Sequence, residues 1–390
     1  MNVLNVLLIR LLFFVLRIFK IKRNKIVFSN FCGKGYGDNG KYIVEELLRR
    51  GGDWDIVWLV KDLNEKMPNG LRKVKWKSLK SIYEQVTAHI WIDNRRKPVY
   101  VAKRERQFYI MTWHSNIALK KVEKDVAPKL SRAYVKNEKH DSTMIDVFLS
   151  GSKWETNCIR NSFWYNGKVL EIGYPRQDIF VNSSANSTEI INRVRNYYGI
   201  RENANILLYA PTFRKSQNEE SLSVYNLKWA ETLCAFEKRF GGEWVGMMRL
   251  HPNVSRLKDK LNIPTNIIDA TAYNDMQELI LSCDCLITDY SSTIMEAGIA
   301  NKYGFIYASD IDEYNKDRSS YFDLRTELPF PFAQDNETLI DNILKFDVTH
   351  YFNNLHNFLK NDYGIVCKGN ASQMVCSLIE NKINNYTIES

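Results

Sequence analysis

The chain has 390 residues, a net charge of +9, 45% hydrophobic residues and 25% charged ones. That length is more than a single core usually serves, so two globular domains are expected. The positive charge calls for anionic partners, and with no nucleic-acid-binding module pattern in the sequence, acidic lipid and phosphorylated small molecules rank above nucleic acid. The seven cysteines are scattered, without a CxxC pair or zinc spacing, which reads as reduced thiols in a cytoplasmic protein.

Residues 3–19 are strongly apolar, broken by Arg10 and Arg17 and followed by Lys20, Lys22, Arg23 and Lys25. Arg10 and the absence of a small-residue cleavage site argue against a signal peptide. A spanning helix needs roughly 20 apolar residues. Arg10 would then sit near mid-membrane, at a cost of about 2.5–3.5 kcal/mol. Arg10 and Arg17 share one helical face, with Lys20 a turn on. The expectation is an amphipathic helix over residues 1–23 lying in the membrane interface, its bases on anionic headgroups. A core helix of the first domain is the alternative.

From Asn24 short β runs alternate with helices. Strands are expected at 26–28, 55–60, 89–93, 108–113, 145–149 and 169–172, with helices over 42–50 and 78–87. A loop with three glycines, Gly33, Gly35 and Gly37, follows the first strand and permits close backbone approach. The polar segment 183–188 marks a linker near 181–187. Beyond it the alternation restarts: strands at 206–209, 244–250, 267–268 and 303–307, helices over 227–240 and 275–282, and a last amphipathic helix over 370–382. Such alternation means parallel sheets covered on both faces. The fold expected is α/β with two Rossmann-like halves. The domains expected are 24–182 and 183–368, with 369–390 returning to the first, and the tail 384–390 frayed.

The stretch Cys285-Leu-Ile-Thr-Asp-Tyr-Ser-Ser-Thr-Ile-Met-Glu-Ala-Gly298 reads as a buried strand, a hydroxyl-rich turn and a helix start. Ser291 or Ser292 can cap that helix. Its outward amides and dipole would suit a phosphate. An N-capped helix without a ligand fits the same residues. Two of the six histidines, His114 and His251, end apolar runs where α/β ligand crevices form. Facing domains would bring both imidazoles into one cleft, and imidazole suits general-base work near neutrality. Either alone is more simply a structural histidine. Lys120 and Lys121 follow His114, Arg214 follows Tyr209-Ala-Pro-Thr-Phe213, and Arg249 precedes His251; such bases suit phosphate oxygens. Asp310-Ile-Asp312 spells an acid-x-acid metal pattern, a weak signal on a loop, and no other acidic cluster suggests a metal site.

Taken in order, these pieces resemble the CDP-glycerol glycerophosphotransferase family of teichoic-acid primases and polymerases, over roughly residues 25–380. They are Phe28-Ser-Asn-Phe-Cys-Gly33 with Asp38-Asn39, Met111-Thr-Trp-His-Ser115 with Leu119-Lys-Lys121, Gly173-Tyr-Pro-Arg-Gln-Asp178, Tyr209-Ala-Pro-Thr-Phe-Arg214, Arg249-Leu-His-Pro252 and Leu286-Ile-Thr-Asp-Tyr-Ser-Ser-Thr293. Tyr321-Phe-Asp323 and Gly369-Asn-Ala-Ser372 also fit. Ser115 stands where the family usually has glycine, and Phe213 where it usually has tryptophan. The resemblance implies a GT-B architecture, two Rossmann-like domains facing across a cleft. It implies a peripheral enzyme on the cytoplasmic face of the membrane that transfers glycerol phosphate from CDP-glycerol to a hydroxyl of a polyprenyl-diphosphate-linked acceptor. CMP would be released and no cofactor or metal required. His114 would take the acceptor proton, and His251 would contact the donor phosphates and help the leaving group. Asp289, Ser291, Ser292 and Thr293 would hold the diphosphate, Arg214 would add a donor contact, and the Gly33 loop would line the cleft. Asn39, Lys120, Arg176, Thr212, Arg249 and Glu296 complete the substrate-binding set on the matching motifs. A CDP-ribitol enzyme, a GT-B glycosyltransferase and a non-catalytic membrane scaffold are the alternatives.

Overall fold

The computed structural model describes residues 3–117, 119–181, 185–212, 214, 224–250, 261, 263–317 and 320–386. His251, Phe213, linker residues 182–184 and tail residues 387–390 lie outside the described residues. The chain forms two compact units. The first takes Met1–His114, Val122–Asp178 and Ile365–Ser390, the second Ser115–Lys121 and Ile179–Gly364.

The first unit begins with helix α1 (Val3–Val15) and holds strands β1 (Lys22–Ser29), β2 (Asp55–Val60), β3 (Leu71–Lys75), β4 (Ala88–Asp93), β5 (Phe108–Met111), β6 (Val147–Ser150) and β7 (Lys168–Glu171). They form one sheet in the order β3-β2-β1-β4-β5-β6-β7, every pair parallel. The inner strands are Ile-, Val- and Trp-rich runs with both faces buried, as helices on each side of a parallel sheet require. Strand β3 was not anticipated. Its sequence, Leu-Arg-Lys-Val-Lys, buries only Val74, the pattern of a charged sheet edge. Strand β5 stops at Met111, short of the expected Trp113, where φ turns to +55°.

Helix α2 (Asp38–Arg50) covers one face, and the last helix, Ala371–Asn384, packs against it. Val375, Ile379 and Ile383 join Ile43 and Leu47 in one core, and Arg50 Nη1 reaches Glu380 at 2.8 Å. Helix α1 lies on the other side. Phe13 is buried to 1% exposure, while Leu4, Leu7, Leu8, Leu11, Phe14 and Ile18 face outward, all at least half exposed. This is the spacing of a continuous apolar stripe. Arg17 donates to the Lys103 carbonyl at 3.3 Å and Arg104 to the Phe19 carbonyl at 2.7 Å, pinning the helix end. Arg17 therefore turns toward the protein, whereas Arg10 is exposed. Among the described residues, no helix is long and apolar enough to cross a membrane.

The second unit repeats the plan with β8 (Asn205–Tyr209), β9 (Trp244–Met248), β10 (Ile268–Asp269), β11 (Cys285–Thr288), β12 (Tyr303–Tyr307) and β13 (Phe332–Ala333). The order is β10-β9-β8-β11-β12-β13, again all parallel. Two residues long, β13 carried no readable pattern. Helix Thr293–Ile299 lies so close over β12 that a Cβ on Gly304 would stand 2.8 Å from Ile294 Cδ1 and 2.9 Å from Phe330 Cδ1. Overpacking of that kind costs typically about 1–3 kcal/mol. In both sheets the strand order reverses beside the first strand, between β1 and β4 and between β8 and β11. Open α/β sheets bind ligands at the carboxyl side of that switch point.

Candidate active site

In the first unit three loops meet at the carboxyl edge: Asn30–Gly37 after β1, Asp93–Asn94 at the end of β4, and Thr112–His114 after β5. His114 Nδ1 lies 2.9 Å from the Asn94 carbonyl oxygen. A carbonyl only accepts, so Nδ1 carries a proton, and in the neutral form of the ring the lone pair is then on Nε2, as a general base requires. The ring packs between Trp113, with centroids 4.5 Å apart, and Phe31 at 5.6 Å.

Asn94 is 2% exposed and joins the loops. Its Nδ2 donates to Asn30 Oδ1 at 2.6 Å and Asp38 Oδ2 at 3.0 Å, and its Oδ1 accepts from the Phe31 amide at 2.8 Å. Asp38 Oδ1 in turn accepts from Arg176 Nη1 at 3.0 Å. Asn39 Nδ2 donates to the carbonyls of Thr112, at 3.3 Å, and Trp113, at 3.0 Å, while its Oδ1 accepts from the Arg176 amide at 3.2 Å. Asn39 and Arg176, placed against substrate on the motif match, are 0% and 1% exposed and hold the His114 loop to the start of α2. Phe31, Cys32, Asp38 and Trp113 take φ of +43°, +58°, +54° and +55°. Non-glycine residues persist there only where their surroundings over-determine them, and such strain concentrates at functional sites. Gly33, at φ +85°, lies against Trp76, whose Cβ would be 2.9 Å from an added methyl.

In the second unit the motif loops after β8 and β11 also meet. Asp289, 2% exposed, accepts from the Thr212 amide at 2.9 Å, the Thr212 hydroxyl at 3.1 Å and Arg214 Nη2 at 2.8 Å. Arg214 Nε reaches Asp310 Oδ2 at 2.6 Å, and its guanidinium lies 4.8 Å from the Tyr290 ring, which stacks on Tyr314 at 3.6 Å. The two carboxylates raise the already high pKa of Arg214 despite its burial. Asp310 falls below the usual carboxylate range because the bonds from Arg214 outweigh its desolvation. Asp312 pairs with Arg325 at 2.8 Å, so both acids of the acid-x-acid pattern answer to arginines. Lys120 Nζ sits 5.8 Å from the Tyr314 ring.

Of the two serines expected to cap the helix, Ser291 supplies the side-chain oxygen. Ser292 is helical and makes no side-chain cap bond, whereas Ser291 Oγ accepts from the Thr293 hydroxyl at 2.9 Å and its amide at 3.4 Å. Ser291, Ser292 and Thr293 are half-buried, and Glu296 is 3% exposed, accepting from Gln277 Nε2 at 2.8 Å. Arg249 Nη2 donates to the Tyr273 carbonyl at 3.1 Å, and burial lowers its pKa. Asn94 lies in none of the motifs read from the sequence, and Phe31 stands inside the motif over residues 28–33 with no role assigned there. Asn94 follows directly on the strand 89–93, the one position that could have flagged it.

The family model of the CDP-glycerol:poly(glycerophosphate) glycerophosphotransferases matches residues 11–381. A teichoic acid poly(glycerol phosphate) polymerase from Staphylococcus epidermidis is 31% identical over 376 residues, 93% of this chain and 51% of its own length. A teichoic acid glycerol-phosphate transferase from Staphylococcus aureus is 29% identical over 368 residues, covering 92% of this chain and 93% of its own. This chain therefore spans about half of the first relative and nearly all of the second. A histidine variant of the wall teichoic acid polymerase TagF, soaked with CDPG, matches with a TM-score of 0.83 and 30% identity over 96% of this chain and 93% of that one. With the family's pattern running through both sheets and the loops at their switch points, the chain belongs to the CDP-glycerol:poly(glycerophosphate) glycerophosphotransferase family.

Proposed function

We propose that the protein transfers glycerol phosphate from CDP-glycerol to a hydroxyl of a membrane lipid-linked acceptor, as a GT-B enzyme peripheral to the cytoplasmic face of the membrane. The observation that carries this reading is the tautomer of His114, set by the Asn94 carbonyl at the carboxyl edge of the first sheet. Nε2 takes the proton of the acceptor hydroxyl. The acceptor oxygen bonds to the phosphorus bearing glycerol, the bond from that phosphorus to the bridging oxygen breaks, and CMP leaves with the electron pair. Positioning and charge neutralisation carry most of such a transfer. The hydroxyls of Ser291, Ser292 and Thr293, with Arg214 and Lys120, are the groups assigned to the diphosphate, and His251 to the leaving group. No cofactor is assigned.

Incubation with CDP-glycerol and, separately, CDP-ribitol, each with a synthetic polyprenyl-diphosphate glycan, tests this by product mass. A glycerol phosphate adduct with CMP release is expected. A ribitol phosphate adduct alone would select the ribitol reading, and no adduct from either, with no nucleotide binding, would select a scaffold.

The outward stripe of α1 supports membrane attachment, since each fully buried leucine or phenylalanine contributes about 1.5–3 kcal/mol. Removing residues 1–23 is expected to abolish co-sedimentation with anionic vesicles. Undiminished sedimentation of the truncated protein would assign the anchor elsewhere.

A further inference from the structure

A cavity of about 280 Å³ opens at the switch point of the first sheet. Ser29 and Asp93, which face each other at the ends of β1 and β4, line its floor. Its roof is apolar: Ile9, Leu12 and Phe13 come from the inward face of α1, with Ile82 beside them on helix Leu79–Thr87. The one ammonium on the floor, Lys97, is neutralised by Asp93 at 2.8 Å. Lys77 lines the cavity and lies 4.5 Å from the ring of Trp76, another lining residue; Lys61 approaches the same ring at 5.0 Å, and both lysines are exposed. An apolar pocket with cations at its mouth fits an amphiphile that carries a hydrocarbon chain next to phosphate.

The cavity wall and the surroundings of His114 share two loops of the first unit. Phe31 and Asn94 touch the imidazole, and their chain neighbours Cys32 and Asp93 line the cavity. The same helix that roofs it presents its other face, apolar and exposed, to the outside. Helix α1 thus has the cavity against one apolar face and the exposed apolar stripe on the other.

We propose that this cavity binds the hydrocarbon segment nearest the phosphates of the lipid-linked acceptor, with Lys61 and Lys77 on those phosphates. This rests on the acceptor being lipid-linked, as proposed above. It makes α1 a wall of the acceptor site as well as a membrane contact.

Cys32 is a half-buried reporter in the cavity wall, and exposed Cys234, in the second unit, is its control. Their modification by N-ethylmaleimide can be followed by peptide mass spectrometry in the full-length protein. Farnesyl diphosphate at about ten times its Kd should slow modification of Cys32 roughly tenfold. Inorganic diphosphate should leave Cys32 unprotected, and Cys234 should react equally throughout. Equal protection by inorganic diphosphate, protection by CDP-glycerol alone, or none with farnesyl diphosphate would overturn the assignment. Ile82→Trp, which fills the cavity, should raise the KM for a long-chain acceptor about tenfold relative to that for a head-group-only acceptor, the loss of roughly two buried methylenes. An unchanged KM ratio would also overturn it. Absence of transfer to any acceptor by the wild-type enzyme would instead sink the proposed reaction, and Cys32 protection alone would then decide the cavity.

Discussion

His114→Ala is expected to lower kcat by about 10²–10⁴-fold, the usual contribution of a positioned general base, and to leave CDP-glycerol binding intact. The split between the two readouts follows from where the histidine sits. It belongs to the first unit, beside Asn94, Phe31 and Trp113, whereas the motif loops assigned to the donor belong to the second. Removing the ring deletes the proposed proton acceptor and leaves Asp289, Thr212 and Arg214, all of the second unit, unsubstituted. Single-turnover rates with saturating CDP-glycerol, and its Kd by calorimetry, check both halves. Wild-type turnover in the variant would take the imidazole out of the proton path. Loss of donor binding with unchanged turnover at saturation would make His114 a donor contact instead.

The loops at the carboxyl edges of the sheets were easier to read from the sequence than the contacts that support them. Apolar runs ending in Asp289, His114 and the Tyr209-Ala-Pro-Thr stretch are local signals, and a buried parallel strand feeding a polar loop leaves the same mark in any α/β sheet. The support was harder to read because it is built from side chains distant in sequence. Asn94 serves His114 across 20 residues, and Arg176 reaches Asp38 across 138. No spacing rule encodes such a pairing. Asn39 and Arg176 stand out in the motifs, but the sequence does not show that Asn39 holds the Thr112 and Trp113 carbonyls or that Arg176 pairs with Asp38. Arg214 reads as a phosphate contact by type, and what its position in the sequence does not show is that Asp289 and Asp310 hold its guanidinium in place. Strands β3 and β13 escaped because an edge that buries one valine, or a two-residue pairing, has no hydrophobic period to detect.

The largest stability effect is expected from Arg96→Met. Arg96 is buried with three carboxylates around it: Glu123 at 2.6 Å, Glu138 at 2.8 Å and Asp141 at 3.5 Å. Its Nε–H is directed to Glu123, so the approach of Glu138 is a coulombic contact rather than a second hydrogen bond. One cation cannot neutralise three buried anions, and the cluster resolves this by holding protons. Burial pushes Glu138 from 4.5 up to about 8 and Asp141 from 3.8 up to about 6, against the pull of Arg96. A carboxyl whose folded pKa is raised binds its proton more tightly in the folded state. Its stabilising contribution is full below the unfolded value and is lost as pH rises through the folded one. For Glu138 and Asp141 the decline runs from about pH 4 to about pH 8. Deleting the cation leaves these carboxylates uncompensated, which for a buried pair costs about 3–5 kcal/mol. The penalty should be smallest near pH 5, where both groups hold protons, and largest above pH 8. Urea midpoints at the two pH values measure the difference. An equal gap at both would mean that Arg96 acts through packing alone, over Trp113, Phe148 and Phe163 at 5.9, 5.8 and 5.3 Å. Because Trp113 carries the chain into His114, the variant should also lose turnover under conditions where it remains folded, and the conservative Arg96→Lys should restore part of both.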